Sequence, residues 1–76
     1  MNKQRRAEIY DLAKRFDSLK DEVQQILEDE QQYFDDMPEN FQNGDKGEKA
    51  QSAIDALEAA ASNIEELMEN LNEATA

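Results

Sequence analysis

The sequence predicts an all-α fold: an antiparallel helical hairpin of two long helices, dimerising into a four-helix bundle. Three observations predict it. Apolar residues recur at alternating three- and four-residue steps in both halves of the 76-residue chain. No Gly or Pro occurs before Pro38, and Pro38 and Asn43-Gly44 fall between those halves. Charge is also divided: residues 1–20 carry six basic and three acidic side chains, and residues 21–76 carry two and sixteen. A chain folded back on itself brings opposite charges together.

The first helix is expected over about residues 3–35. Ile9, Leu12, Phe16, Leu19, Val23, Ile26 and Tyr33 follow a heptad seam, with a at 9, 16, 23 and 30 and d at 12, 19, 26 and 33. Glu30 is the one break in that register, and Ala13, Leu27 and Phe34 widen the stripe at e. A loop is expected over about residues 36–45. Pro38 disfavours helical geometry at Met37 and suits the opening of a short turn, PENFQ. Asn43-Gly44 is a further turn signal. Met37 and Phe41 are the apolar residues of the loop, expected to fold back over the bundle end.

The second helix is expected over about residues 46–73. Ala50, Ile54, Leu57, Ala61, Ile64, Met68 and Leu71 repeat the alternating steps, flanked by Ala53, Ala60 and Leu67. Asp45 is the predicted N-cap, with Glu48 as its capping-box partner. Antiparallel folding is expected to set Glu65, Glu66, Glu69 and Glu73 beside Lys3, Arg5, Arg6 and Lys14. Both apolar stripes are three positions wide, whereas a two-stranded coil needs only two. Two hairpins sharing a four-helix core satisfy that width, and a monomer covered by its own loop is the competing arrangement. The predicted oligomer seam is Ile9, Leu12, Phe16, Leu19, Val23 and Ile26 with Ile54, Leu57, Ile64, Leu67, Met68 and Leu71.

Composition narrows the function classes. The chain has no Cys and no His, which removes disulfides, zinc sites and most catalytic dyads. It has no phosphate-binding glycine loop and no nucleophile motif, so the reading is non-enzymatic, without cofactor or metal. The net charge of −11 repels DNA and anionic membranes and favours basic protein surfaces, including those that hold DNA. No apolar run reaches the roughly 18 residues of a membrane span, and none has a signal-peptide form, so a cytoplasmic location is expected.

Within the first helix, Asp21-Glu22, Glu28-Asp29 and Asp35-Asp36 form acidic pairs seven residues apart with no basic residue between them. Like charges along one face cost a helix a few tenths of a kcal/mol per i,i+4 pair. The stripe is either a solvated face or a surface for a basic partner that imitates a phosphate array. Duplex DNA carries one charge per roughly 1.7 Å, or about 26 over 45 Å. The sixteen acids of residues 21–76 fall short of that, and a dimer's thirty-two exceed it. Beside the stripe, Tyr33, Phe34, Met37 and Phe41 form an apolar cluster next to Glu39. It is either a structural cap or a binding anchor, since aromatic residues dominate binding hot spots.

Residues 29–60 resemble a group of small acidic proteins encoded by bacteriophages and prophages. The likeness rests on Asp35, Met37-Pro38-Glu39, Gln42, Gly47-Glu48 and the helix from Ala53 to Glu58. It covers less than half the chain. Its D-x-MPE-x-x-Q turn is moderately specific, and its alanine-rich helix is not. The resemblance implies a phage setting inside a bacterial host. Small acidic phage proteins often bind and block a host protein. The expected function is therefore an inhibitor or decoy whose partner is a basic, nucleic-acid-binding protein. The alternative is a coiled-coil oligomerisation or adaptor module.

Overall fold

The computed structural model describes residues 1–76. It contains α1 (Lys3–Asp35), α2 (Glu39–Gln42) and α3 (Asp45–Ala74), and no strand. The two long helices pack as an antiparallel hairpin, a rod of 58 × 15 × 12 Å.

Each boundary has a local cause. At the start of α1, the Asn2 side chain accepts a hydrogen bond from the Arg5 amide at 2.8 Å, satisfying one of the free amides of a helix start. α1 then runs 33 residues without Gly or Pro. Pro38 stops it and opens α2, where the amides of Phe41 and Gln42 donate to the Pro38 carbonyl at 2.9 and 3.0 Å. This short turn lies where PENFQ predicts it. The Gln42 side chain then reaches back and donates to the Phe34 carbonyl at 3.0 Å, a second bond to an oxygen that also accepts from the Met37 amide at 3.1 Å.

α3 begins differently from the expectation. Its N-cap is Gly44, with no side-chain cap bond, and Asp45 is already helical. The reason is the tight link from α2. The Gly44 amide donates to Phe41 and its carbonyl accepts from Glu48, and only Asn43 and Gly44 join α2 to α3. Asp45 and Glu48 still sit in the first turn, where acidic charge suits the helix dipole.

The core is small and lies at the loop end. Only Gly47, Ala50 and Ile54 are buried. A Cβ on Gly47 would stand 1.9 Å from the Gln42 carbonyl oxygen. That glycine is what lets α2 lie directly on the start of α3. Farther along the rod, Ile9, Ala13, Phe16, Lys20, Val23, Leu27, Glu30 and Phe34 are half-buried on α1. On α3, Leu57, Ala61, Ile64, Met68 and Leu71 are half-buried in the same spacing.

Positions a and e of α1 therefore face α3, rather than the a and d of the heptad reading. Leu12 is half-buried, whereas Leu19, Ile26 and Tyr33 are 47%, 55% and 53% exposed. A stripe three positions wide fits a neighbour on either side, and in the hairpin α3 occupies the e side.

The expected ion pairs also change. Lys20 Nζ meets Glu65 at 2.5 Å, and this is the one ion pair between the helices. Glu66, Glu69 and Glu73 pair with none of Lys3, Arg5, Arg6 and Lys14. Glu66, Glu69 and Glu73 are exposed, on the side of α3 turned away from α1, while Arg6 is half-buried with its Nε buried and unpaired. The other ion pair, Asp11–Arg15 at 3.2 Å, is within α1. Glu65 accepting from Lys20 raises the ammonium's pKa above its ordinary value.

A candidate binding end

The acidic stripe and the aromatic residues meet at the loop end of the rod. Asp21, Glu22, Glu28, Asp29, Asp35 and Asp36 are all exposed. None is ion-paired. Three are held by glutamines one turn back: Gln25 donates to Asp29 at 3.2 Å, Gln31 to Asp35 at 3.0 Å and Gln32 to Asp36 at 3.0 Å. Such amide–carboxylate pairs add about 0.2–0.5 kcal/mol each to a helix. They partly offset the like-charge repulsion without neutralising it. They also fix the direction in which the carboxylates point.

The aromatic cluster divides. Tyr33, Met37 and Phe41 line one shallow surface depression of about 300 Å³ with Asp36, Pro38 and Lys46. Phe34 does not join them. It is half-buried at an e position, on the side of α1 that faces α3. Met37 is half-buried, whereas Phe41, expected to fold over the bundle end, is 46% exposed. Lys46 sits over the Phe41 ring, 5.5 Å from its centroid. That contact puts a positive charge in the depression that Asp36 also lines. Glu39 is exposed in the first turn of α2.

Lys46 and Lys49, the cations at the start of α3, make no ion pair with the stripe, and Lys20, next to Asp21 in the sequence, pairs with Glu65 instead. No three or more acidic side chains converge closely enough to hold a metal ion. No helix is long and apolar enough to cross a membrane.

Two residues of the D-x-MPE-x-x-Q and G-E signature have roles that sequence reading missed. Gln42 caps α1 and Gly47 admits α2. A glycine in the first turn of a helix, where Ala is preferred by about 1 kcal/mol, was the available signal for Gly47. Nothing in the sequence marks Gln42 as a cap eight residues from its acceptor. Asn2 was readable, as a favoured N-cap residue just before the helix.

No protein-family model matches the chain, and no curated protein or solved structure matches it either.

Proposed function

We propose that the protein is a non-catalytic binding protein whose acidic edge occupies a basic, DNA-binding surface on another protein. One observation carries this reading. Six carboxylates stand exposed along half of α1, and no cation of the chain pairs with any of them. A face meant only for solvent gains nothing from excluding every counter-charge over sixteen residues. A face meant for a basic partner gains on-rate and selectivity. Phe41 and Met37, with Tyr33 on the rim, add apolar contact beside the charge. The likeness of residues 29–60 to small acidic phage proteins supports a blocking role against a bacterial host protein, with defence and DNA-processing proteins as the candidate classes.

Imitation of DNA is the specific form of this proposal. Along a 58 Å rod, duplex DNA carries roughly 34 charges. Two copies of the chain bring thirty-eight acids to that length, against a net charge of −22. The acids match the density of phosphate, and the retained basic residues lower the net field.

The test is affinity capture on the immobilised protein from bacterial lysate at low salt, read by mass spectrometry. A retained basic protein that duplex DNA and raised salt both displace is the expected result. Replacing Asp21, Glu22, Glu28, Asp29, Asp35 and Asp36 by Gln should abolish retention. If the six-fold variant still holds the same partner, the acidic edge is not the binding surface.

A second reading, a helical oligomerisation or adaptor module, is favoured by the exposure of Leu19, Ile26 and Tyr33. It predicts the opposite pattern: the Gln variant keeps activity and Leu19→Asp loses it.

A further inference from the structure

The two broad faces of the hairpin differ in kind. On one, α1 presents Leu12, Leu19, Ile26 and Tyr33 at every seventh residue, and α3 presents Ala53, Ala60 and Leu67 at the same interval. On the other, α1 carries Tyr10, Asp17, Gln24 and Gln31, and α3 carries Gln51, Glu58, Glu65 and Asn72, so Tyr10 is its one large apolar side chain. A two-fold rotation normal to the plane of the pair relates antiparallel helices. Positions offset in the same sense from the contact line therefore fall on the same face. Lys20 level with Glu65 fixes the register along the rod.

We propose that the apolar face is closed by the same face of a second copy, with α1 of each chain laid on α3 of the other and both loops at one end. This inference does not depend on what the acidic edge binds, but it takes Tyr33 and Asp36 from the surface left for that partner.

Side-chain size supports this arrangement. In it, Tyr33 comes level with Ala53 of the second copy and Ile26 with Ala60. The large residues of α1 meet the small ones of α3. Leu67, the one large residue of the α3 stripe, comes level with the surface groove of about 500 Å³ lined by Leu12, Arg15, Phe16 and Leu19.

Charge selects the same arrangement. The position beside the apolar stripe holds Arg15, Glu22, Asp29 and Asp36 on α1, and Lys49, Ala56, Asn63 and Asn70 on α3. Asp36 then meets Lys49 of the second copy, while the others meet Ala or Asn. The alternative two-fold, α1 against α1 head to tail, opposes Glu22 with its own copy and Glu8 with Asp36. It also stacks the large residues of the α1 stripe on one another.

Area agrees as well. A face of 58 × 15 Å is of the order of the roughly 800 Å² per partner that a standard stable interface buries. A hairpin with three buried residues has few other means of completing a core. Closing the seam places Tyr33 inside it. Phe41 and Met37 remain in the depression, and Asp21, Glu28 and Asp35 remain outside.

Light scattering and a spin label decide it. The chain has no cysteine, so Asn43→Cys labels the loop alone. The expected mass is twice 8.7 kDa at micromolar concentration, with a label-to-label distance well under half of the 58 Å rod. A monomeric or larger mass overturns the proposal, and so does a dimer with labels a rod length apart. Ile26→Glu should give a helical monomer. Should that variant unfold, Lys49→Glu is the second probe. It should weaken the dimer several-fold, and Asp36→Lys in the same chain should restore it. A dimer indifferent to both changes refutes the arrangement.

Discussion

A Cβ at Gly47 would meet three backbone atoms of Gln42 at 1.9, 2.4 and 2.6 Å. Those atoms belong to α2, which Pro38 starts and the Gln42 side chain ties to the end of α1. The space cannot be recovered by turning a side chain; the loop itself must move. Helix propensity alone says that Gly47→Ala stabilises α3 by about 1 kcal/mol. Packing says the reverse, at about 1–3 kcal/mol for forced backbone shifts. We expect packing to win and urea unfolding to show a net loss. Gly44 is the control. Its backbone is extended, and a Cβ there would lie 3.4 Å from the Asn40 carbonyl oxygen, an ordinary contact. Gly44→Asn should therefore be tolerated with a gain of a few tenths of a kcal/mol as a better N-cap. A Gly47→Ala variant as stable as the parent would mean the loop does not hold the position described. Pro38, Gln42 and Gly47 are thus explained by the fold of the turn, whereas Asp35 and Glu39 stand exposed beside it.

At the scale of elements, α3 buries its apolar face at one end and merely leans on α1 elsewhere. Ile54 is 1% exposed and Ile26 is 55% exposed. Ile54→Ala should cost about 2–5 kcal/mol. That is comparable to all that a small core usually supplies, so the variant should lose most of its helical circular dichroism. Ile26→Ala should stay within about 0.5 kcal/mol if the hairpin is the complete unit. A larger loss at Ile26 means its side chain is covered in solution. The sequence pattern placed these elements well. Periodicity set the extent of both helices, and Pro38 set the break between them. It did not say whether d or e of α1 faces α3, because a three-wide stripe offers the same apolar surface to either side. It misassigned the start of α3, which depends on how tightly α2 folds onto α3 through Gln42, Gly44 and Gly47. It misassigned the ion pairs because Glu66, Glu69 and Glu73 lie on the exposed side of α3. At the binding end, the exposure of the acids followed from their place on the helix. The inward place of Phe34 follows from the same choice between d and e, and the cation over Phe41 depends on how the loop sets Lys46 beside it.

The whole molecule is a rod with net charge −11 and two ion pairs. Its electrostatics should therefore be dominated by self-repulsion. Exposed pairs such as Asp11–Arg15 and Lys20–Glu65 contribute about 0–1 kcal/mol each. Against them stand sixteen acids beyond residue 20, spread along helices that carry no basic residue in their last turns. Salt weakens both contributions, but it screens the many repulsions more than it costs the two attractions. Raising ionic strength from low salt to about 0.15 M shortens the Debye length to about 8 Å, less than the two-turn spacing between acidic pairs. Stability should rise by on the order of 1 kcal/mol, which for a domain of this size is a Tm increase of about 4–8 °C. Thermal unfolding followed by circular dichroism at fixed chain concentration measures it. The six-fold Gln variant, with fewer charges to screen, should respond less. A Tm that falls as salt is added would show that attraction between the basic start of α1 and the acidic remainder outweighs the repulsion. The same screening should weaken capture of a basic partner, so folding and binding are expected to respond to salt with opposite signs.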